Sequence, residues 1–185
     1  MMKQIVKKLP FLLLVLLHVL FLLAVLLEKL NFISILIFVV AALMLMVIAY
    51  TKVPTQDNTL LYKDYGAIVF VVLGAGLAYY INVNAGFGPV IATGAVGTFA
   101  SMLPWLNRNS ALLKEAPAAA YCGSFVGMSS PNVAGNMLFI LFAGFVAGVL
   151  LVFSKNIFQG YGGKLGTIAF GGVALTYLIM FLFLR

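Results

Sequence analysis

The sequence predicts an all-α fold: a polytopic bundle of six or seven transmembrane helices with an internal pattern of an inverted repeat of Gly-rich helical hairpins. Three observations predict it. The chain is 64% hydrophobic and 8% charged, whereas a soluble domain is roughly half apolar and a quarter charged. Apolar runs of spanning length recur along its 185 residues, and a bilayer asks about 20 such residues of each helix. Charges fall between the runs, where hydrocarbon does not have to accept them.

The first run, 10–27, follows Lys3, Lys7 and Lys8 as a signal peptide would, but it ends in Glu28-Lys29 without a small-residue cleavage pattern. It is therefore expected to remain as a first span. His18 lies in its middle; a neutral imidazole bonded to a neighbouring helix or to backbone accounts for it, with a titrating group as the alternative. Further spans are expected at 32–50, 66–83, 86–104, 134–153 and 165–184. The stretch 116–131 is short, rich in small residues and flanked by Pro117 and Pro131, so it either crosses or dips in and returns.

Charge arbitrates between those two. If 116–131 crosses and the N-terminus is cytoplasmic, Lys3, Lys7, Lys8, Lys52, Lys63, Arg108, Lys114, Lys155 and Lys164 are inside, and Lys29 and Arg185 outside. A re-entrant segment moves Lys155 and Lys164 out and Arg185 in. Basic residues concentrate on the cytoplasmic side, which favours seven spans in a multi-pass protein of the cytoplasmic membrane.

The chain has two textures. All 18 glycines lie between Gly66 and Gly172. Lipid provides no hydrophobic drive for helices to meet, so their packing relies on small residues. Residues 1–65 are therefore expected to form a peripheral apolar hairpin plus loop, and 66–185 the packed core. Gly123-x3-Gly127, extended backward by Ala119, and Gly144-x3-Gly148 are the small faces expected to pack. The order Val71–Gly76, Gly86-Phe87-Gly88, Thr93–Gly97 returns as Leu141–Gly144, Gly160-Tyr161-Gly162, Thr167–Gly172. In a seven-span chain the two copies enter from opposite sides, as in inverted-repeat transporters. Chance similarity between Gly-rich hairpins is the competing explanation.

Composition also narrows function. The net charge of +7 is spread as single residues between apolar runs, so it reads as topology and not as a nucleic-acid surface. Glu28, Asp57, Asp64 and Glu115, the four acids, sit at span ends or in loops, which argues against a carboxylate proton relay. One cysteine and one histidine supply neither a disulfide nor a metal cluster, and no catalytic role, metal or cofactor is expected. The tyrosines Tyr50, Tyr62, Tyr65 and Tyr161, with Trp105, mark interfaces.

The candidate ligand- or pore-lining residues are neutral: Asn82, Asn84, Thr93, Ser101, Tyr121, Cys122, Ser124, Ser129, Ser130, Asn132 and Asn136. Neutral donors and acceptors replace a solute's hydration without holding it too tightly. The competing role is interhelical bonding and capping, with Asn132 or Ser130 capping a helix that begins near Val133. Lys164 joins the set because a Gly-rich turn opening a helix presents N–H groups to an anion, although a headgroup anchor explains it too. The expected function is a small transporter or channel subunit for a small neutral or anionic solute. The alternative is a membrane-embedded ligand-binding or assembly subunit without transport of its own. The expected partners are the lipid bilayer and either copies of the chain or other membrane subunits.

Overall fold

The computed structural model describes residues 65–155 and 163–183 throughout, with scattered positions between 13 and 48. Every described position in that first stretch is helical; the rest of the runs 10–27 and 32–50, and His18 with them, lies outside the described residues. The chain divides into two units, 1–57 with 156–160 and 58–155 with 161–185. The second unit carries the helices between Gly66 and Phe183.

Helix α1, Gly66–Tyr79, widens into a π-turn over Tyr80–Asn84, where Ala85 N–H reaches back to Tyr80 O at 2.9 Å. Gly88, at φ +82°, turns the chain into α2, Pro89–Ser101, whose first residue lacks an N–H the helix would not have used. Met102 ends α2, and α3, Leu103–Leu106, carries Pro104 in its first turn. The Ser110 side chain caps α4, Ala111–Gly127, by accepting from Leu113 N at 3.3 Å. A short α5, Pro131–Ala134, precedes α6, Met137–Phe153, and α7 spans Lys164–Phe183. The described residues contain no strand.

Three of these segments are long and apolar enough to cross a membrane: Gly66–Asn84, Pro89–Leu106 and Lys164–Phe183. That count, made among the described residues, is fewer than the six or seven spans expected from hydropathy; the runs 10–27 and 32–50 lie largely outside those residues, and two further segments differ for physical reasons. The run at 134–153 yields a helix of 17 residues, because Gly135 takes φ +65° and only Asn136 then starts the helix. The cap of α6 is thus Asn136, whose Oδ1 accepts from Phe139 N at 2.9 Å; Ser130 is the N-cap residue of the short α5, without a side-chain bond, and Asn132 lies within α5. The segment at 116–131 instead begins at Ala111, takes in Lys114 and Glu115, and stops at Gly127. Its 17 residues are continuous through Pro117 and rise about 25 Å, so no hairpin forms within it.

The helices touch through missing side chains. A Cβ on Gly74 would run into Ala120 O, and one on Gly123 into Val71 O; on Gly127 it would stand 2.5 Å from Ala75 O. With Gly66 beside Leu112, these contacts make α1 and α4 parallel. On the other side of α1, Gly76 meets Leu141, Gly144 meets Ala75 and Gly148 meets Ile68, an antiparallel pairing with α6. Gly172 of α7 lies on Ala143 and Ala147 of α6. Helix α2 runs antiparallel to α4, with Gly97 against the Tyr121 ring and Ala92, Val96 and Ala100 packed around Ala120.

The arrangement inverts that of a soluble helical bundle. The buried positions are mostly Ala and Gly, while Val90, Phe99 and Leu138 are 76%, 71% and 74% exposed. Large apolar side chains turned outward and small ones inward suit a solvent as apolar as leucine. Gly123→Ala is expected to cost about 2–3 kcal/mol, as overpacking does, lowering the thermal midpoint in detergent. Nothing lies within 4 Å of a Cβ on Gly94, so Gly94→Ala should raise that midpoint by roughly the 0.5–1 kcal/mol of helix entropy.

Candidate functional site

The helix directions sort the polar residues by end. Asn82, Asn84, Ser129, Ser130, Asn132 and Asn136 lie in or beside the turns that close α1 and α4 and open α6. All are neutral. Arg108, Lys114, Glu115, Lys155 and Lys164, the charged residues among those described, lie at the opposite end, where α4 and α7 begin and α6 stops.

At the neutral end, Asn82 Nδ2 donates to Gly127 O at 3.1 Å. The bond satisfies a carbonyl that the end of α4 leaves free and ties it to the π-turn of α1. Ser129 Oγ donates to Val126 O at 2.8 Å. Tyr80 and Phe87 are exposed beside this end, and Ala134 is buried.

Between α2 and α4, the buried Thr93 Oγ1 donates to Ser124 O across 3.4 Å, a long hydrogen bond. The Ser124 hydroxyl itself turns back to Tyr121 O at 2.8 Å. The Tyr121 ring tilts 60° against Phe125 at 4.7 Å, and the bare backbone of Gly97 gives it room. Ser101 points away from this seam, donating to Thr98 O at 2.7 Å. Cys122, on another face of α4, is buried and directs Sγ toward Leu165 O at 3.5 Å.

The candidate residues therefore form three groups: the neutral end, the α2–α4 seam with Thr93, Ser124 and Tyr121, and the α4–α7 contact with Cys122 and Lys164. Most of their donors are engaged by backbone carbonyls, some on their own helix and some on a neighbour. At the charged end, Lys155 Nζ and Glu115 Oε1 are 2.6 Å apart and join α6 to α4. Both side chains are more than a third exposed, so the pair positions these ends more than it stabilises them. Lys164 Nζ donates to Lys155 O at 3.0 Å. Among the described residues, no group of three His, Cys, Asp or Glu side chains is placed to hold a metal ion.

Two hydroxyls carry no signal in the sequence. Ser154 and Thr176 are fully buried, and neither Ser154 Oγ nor Thr176 Oγ1 has a hydrogen-bond partner. By residue type they resemble ordinary helix hydroxyls, which bond to the preceding turn; only packing reveals that they do not. The Glu115–Lys155 pairing, 40 residues apart, carries no local signal either.

No protein family, curated protein or solved structure matches the chain. The site's chemistry therefore rests on its geometry alone.

Removing an unsatisfied buried hydroxyl for an apolar group of the same shape is neutral or stabilising. Thr176→Val should leave the melting midpoint in detergent unchanged or raise it. Asn82→Leu, which strips the Gly127 carbonyl of its donor, should lower it by about 1 kcal/mol; a reversed order of the two variants would contradict these assignments.

Proposed function

We propose that the chain is a seven-span protein of the cytoplasmic membrane, with its N-terminus in the cytoplasm, acting as a small transporter or channel subunit for a small neutral or anionic solute. The observation that carries this reading is the way the two halves of the sequence repeat meet. Ala75-Gly76 of the first copy corresponds to Ala143-Gly144 of the second, and these motifs lie against each other: Gly144 faces Ala75, and Gly76 faces Leu141. Antiparallel contact at corresponding positions is what a two-fold axis in the membrane plane generates, and transporters built from inverted repeats place their sites at such an interface. Gly88 and Gly163, both at φ +82°, precede the second helix of each copy.

Orientation rests on the separation of charge. Among the described residues, four basic residues and Glu115 share one end and the other end is neutral, which supports a cytoplasmic position for the charged end. Helices α1, α2, α4, α6 and α7 connect the two ends in alternation, which supports a crossing by α4. No catalytic role is assigned.

A second reading, a membrane-embedded ligand-binding or assembly subunit, has its own support. The hydroxyls of the α2–α4 seam bond to backbone carbonyls, which suits a packed scaffold that docks other membrane chains. Either way the solute or partner meets the protein within the bilayer.

Proteoliposomes containing the full chain should accelerate entry of glycerol, chloride or phosphate above protein-free vesicles. No acceleration for any solute, together with co-purification of another membrane chain, would sink transport in favour of assembly. Topology is checked separately in a Cys122→Ala background. An impermeant thiol reagent should label Asn132→Cys from outside intact cells and Arg108→Cys only after lysis.

A further inference from the structure

Close glycine contacts hold α4 to α1 and α7 to α6: a Cβ on Gly123 would run into Val71 O, and one on Gly172 would stand 2.6 Å from Ala147 Cβ. The corner between α6 and α7 reaches α4 differently, through polar groups in series. Lys155, just past the end of α6, places Nζ 2.6 Å from Glu115 Oε1 of α4. Its carbonyl oxygen accepts from Lys164 Nζ, at the start of α7, at 3.0 Å. One residue on, Leu165 O faces Cys122 Sγ of α4 at 3.5 Å. The series thus leaves α4 at Glu115, passes through both sides of the corner and returns to α4 about 10 Å further along the helix.

Its two layers differ in exposure. The side chains of the outer ion pair are 37% and 40% exposed, so water competes for both charges and the pair is a weak tie. Cys122, in the inner layer, is fully buried. Nothing lies within 4 Å of a Cβ on Gly166, so the first turn of α7, which carries Lys164 and Leu165, has room to shift. When the outer tie parts, the inner contact is the next one that water reaches.

We infer that Glu115, Lys155 and Lys164 form a clasp that holds the α6–α7 corner against α4, and that its release opens the charged end of the bundle as far as Cys122. Release hydrates the carboxylate and both ammonium groups. It leaves the small-residue contacts of α4 with α1 and of α7 with α6 in place, so the opening is local and does not require unfolding. The clasp does not rest on the chain transporting anything.

Cys122, the chain's single cysteine, reports the opening. The full chain is placed in nanodiscs, which leave both faces open to solvent, and treated with a charged methanethiosulfonate while labelling is followed by mass spectrometry. Wild type should react at least about tenfold more slowly than the chain unfolded in dodecyl sulfate, because labelling waits for the open state. Glu115→Gln and Lys155→Gln should each speed labelling roughly threefold, the scale of an exposed ion pair. Lys164→Met should speed it roughly tenfold, the scale of a hydrogen bond from a charged group. Exchanging the two charges, Glu115→Lys with Lys155→Glu, should restore a rate near that of wild type. Asn82→Leu loosens the other end of α4 and should label as wild type although it melts lower. A rate raised as much by Asn82→Leu as by Glu115→Gln would mean general unfolding and would overturn the clasp. Wild-type rates in all three single variants of the clasp would do the same, as would a charge-exchanged chain that reacts as fast as Glu115→Gln. If one single variant fails to fold, the other two carry the comparison.

Discussion

The structure depends on α1 lying in contact with α4 on one side and α6 on the other, at distances that exclude side chains. Where Gly123 faces Val71 O and Gly74 faces Ala120 O, even a methyl group has no space. Dispersion at short range replaces the hydrophobic drive that water would supply. Because each glycine gives up little surface, the contact must be continuous to be worth much. It is: Gly74, Gly123 and Gly127 serve α4, and Gly76, Gly144 and Gly148 serve α6. The order of the other helices follows, with α2 packed on α4 and α7 on α6.

Such packing constrains the polar groups. In a dry interior a hydroxyl must find an acceptor, and the nearest acceptors are carbonyls. Ser124 and Ser129 use their own helix, and Thr93 and Asn82 use α4. The bonds to α4 are informative because they join helices whose other contacts are methyls and glycines. Thr93 and Asn82 fix the register of α2 and α1 against α4 in a way apolar contacts alone would not, since small faces slide with modest penalty. The two hydroxyls left over, Ser154 at the C-cap of α6 and Thr176 on α7, take no part in this network.

Much of the fold could be read from hydropathy and glycine placement. The runs at 66–83, 86–104 and 165–184 appear as Gly66–Asn84, Pro89–Leu106 and Lys164–Phe183, since long uninterrupted apolarity leaves a helix no competitor. The small-residue faces were equally legible: Gly123-x3-Gly127 and Gly144-x3-Gly148 are both contact faces. Boundaries failed where backbone geometry outweighed hydropathy. At 134–153, Ala134 and Gly135 are apolar enough to continue a span, but Gly135 adopts a left-handed conformation and Asn136 restarts the helix. At 116–131, hydropathy placed the start after Glu115, whereas Ser110 caps a helix that carries Lys114 and Glu115 in its first turns. Site geometry was the least legible. The partners of Asn82 and Thr93 are carbonyls 45 and 31 residues away, and every residue has a carbonyl, so no pattern of residue types singles out those two.

Helix α4 meets its neighbours with different faces, and this sets its chemistry apart. Toward α1 and α2 it offers Gly123, Gly127 and Tyr121; toward α7 it offers Cys122. The neutral asparagines and serines collect where α4 ends against α1, and the charges collect where it begins against α6. A central helix that begins among the charges and ends among the asparagines and serines thus gives the bundle chemically distinct ends among the described residues.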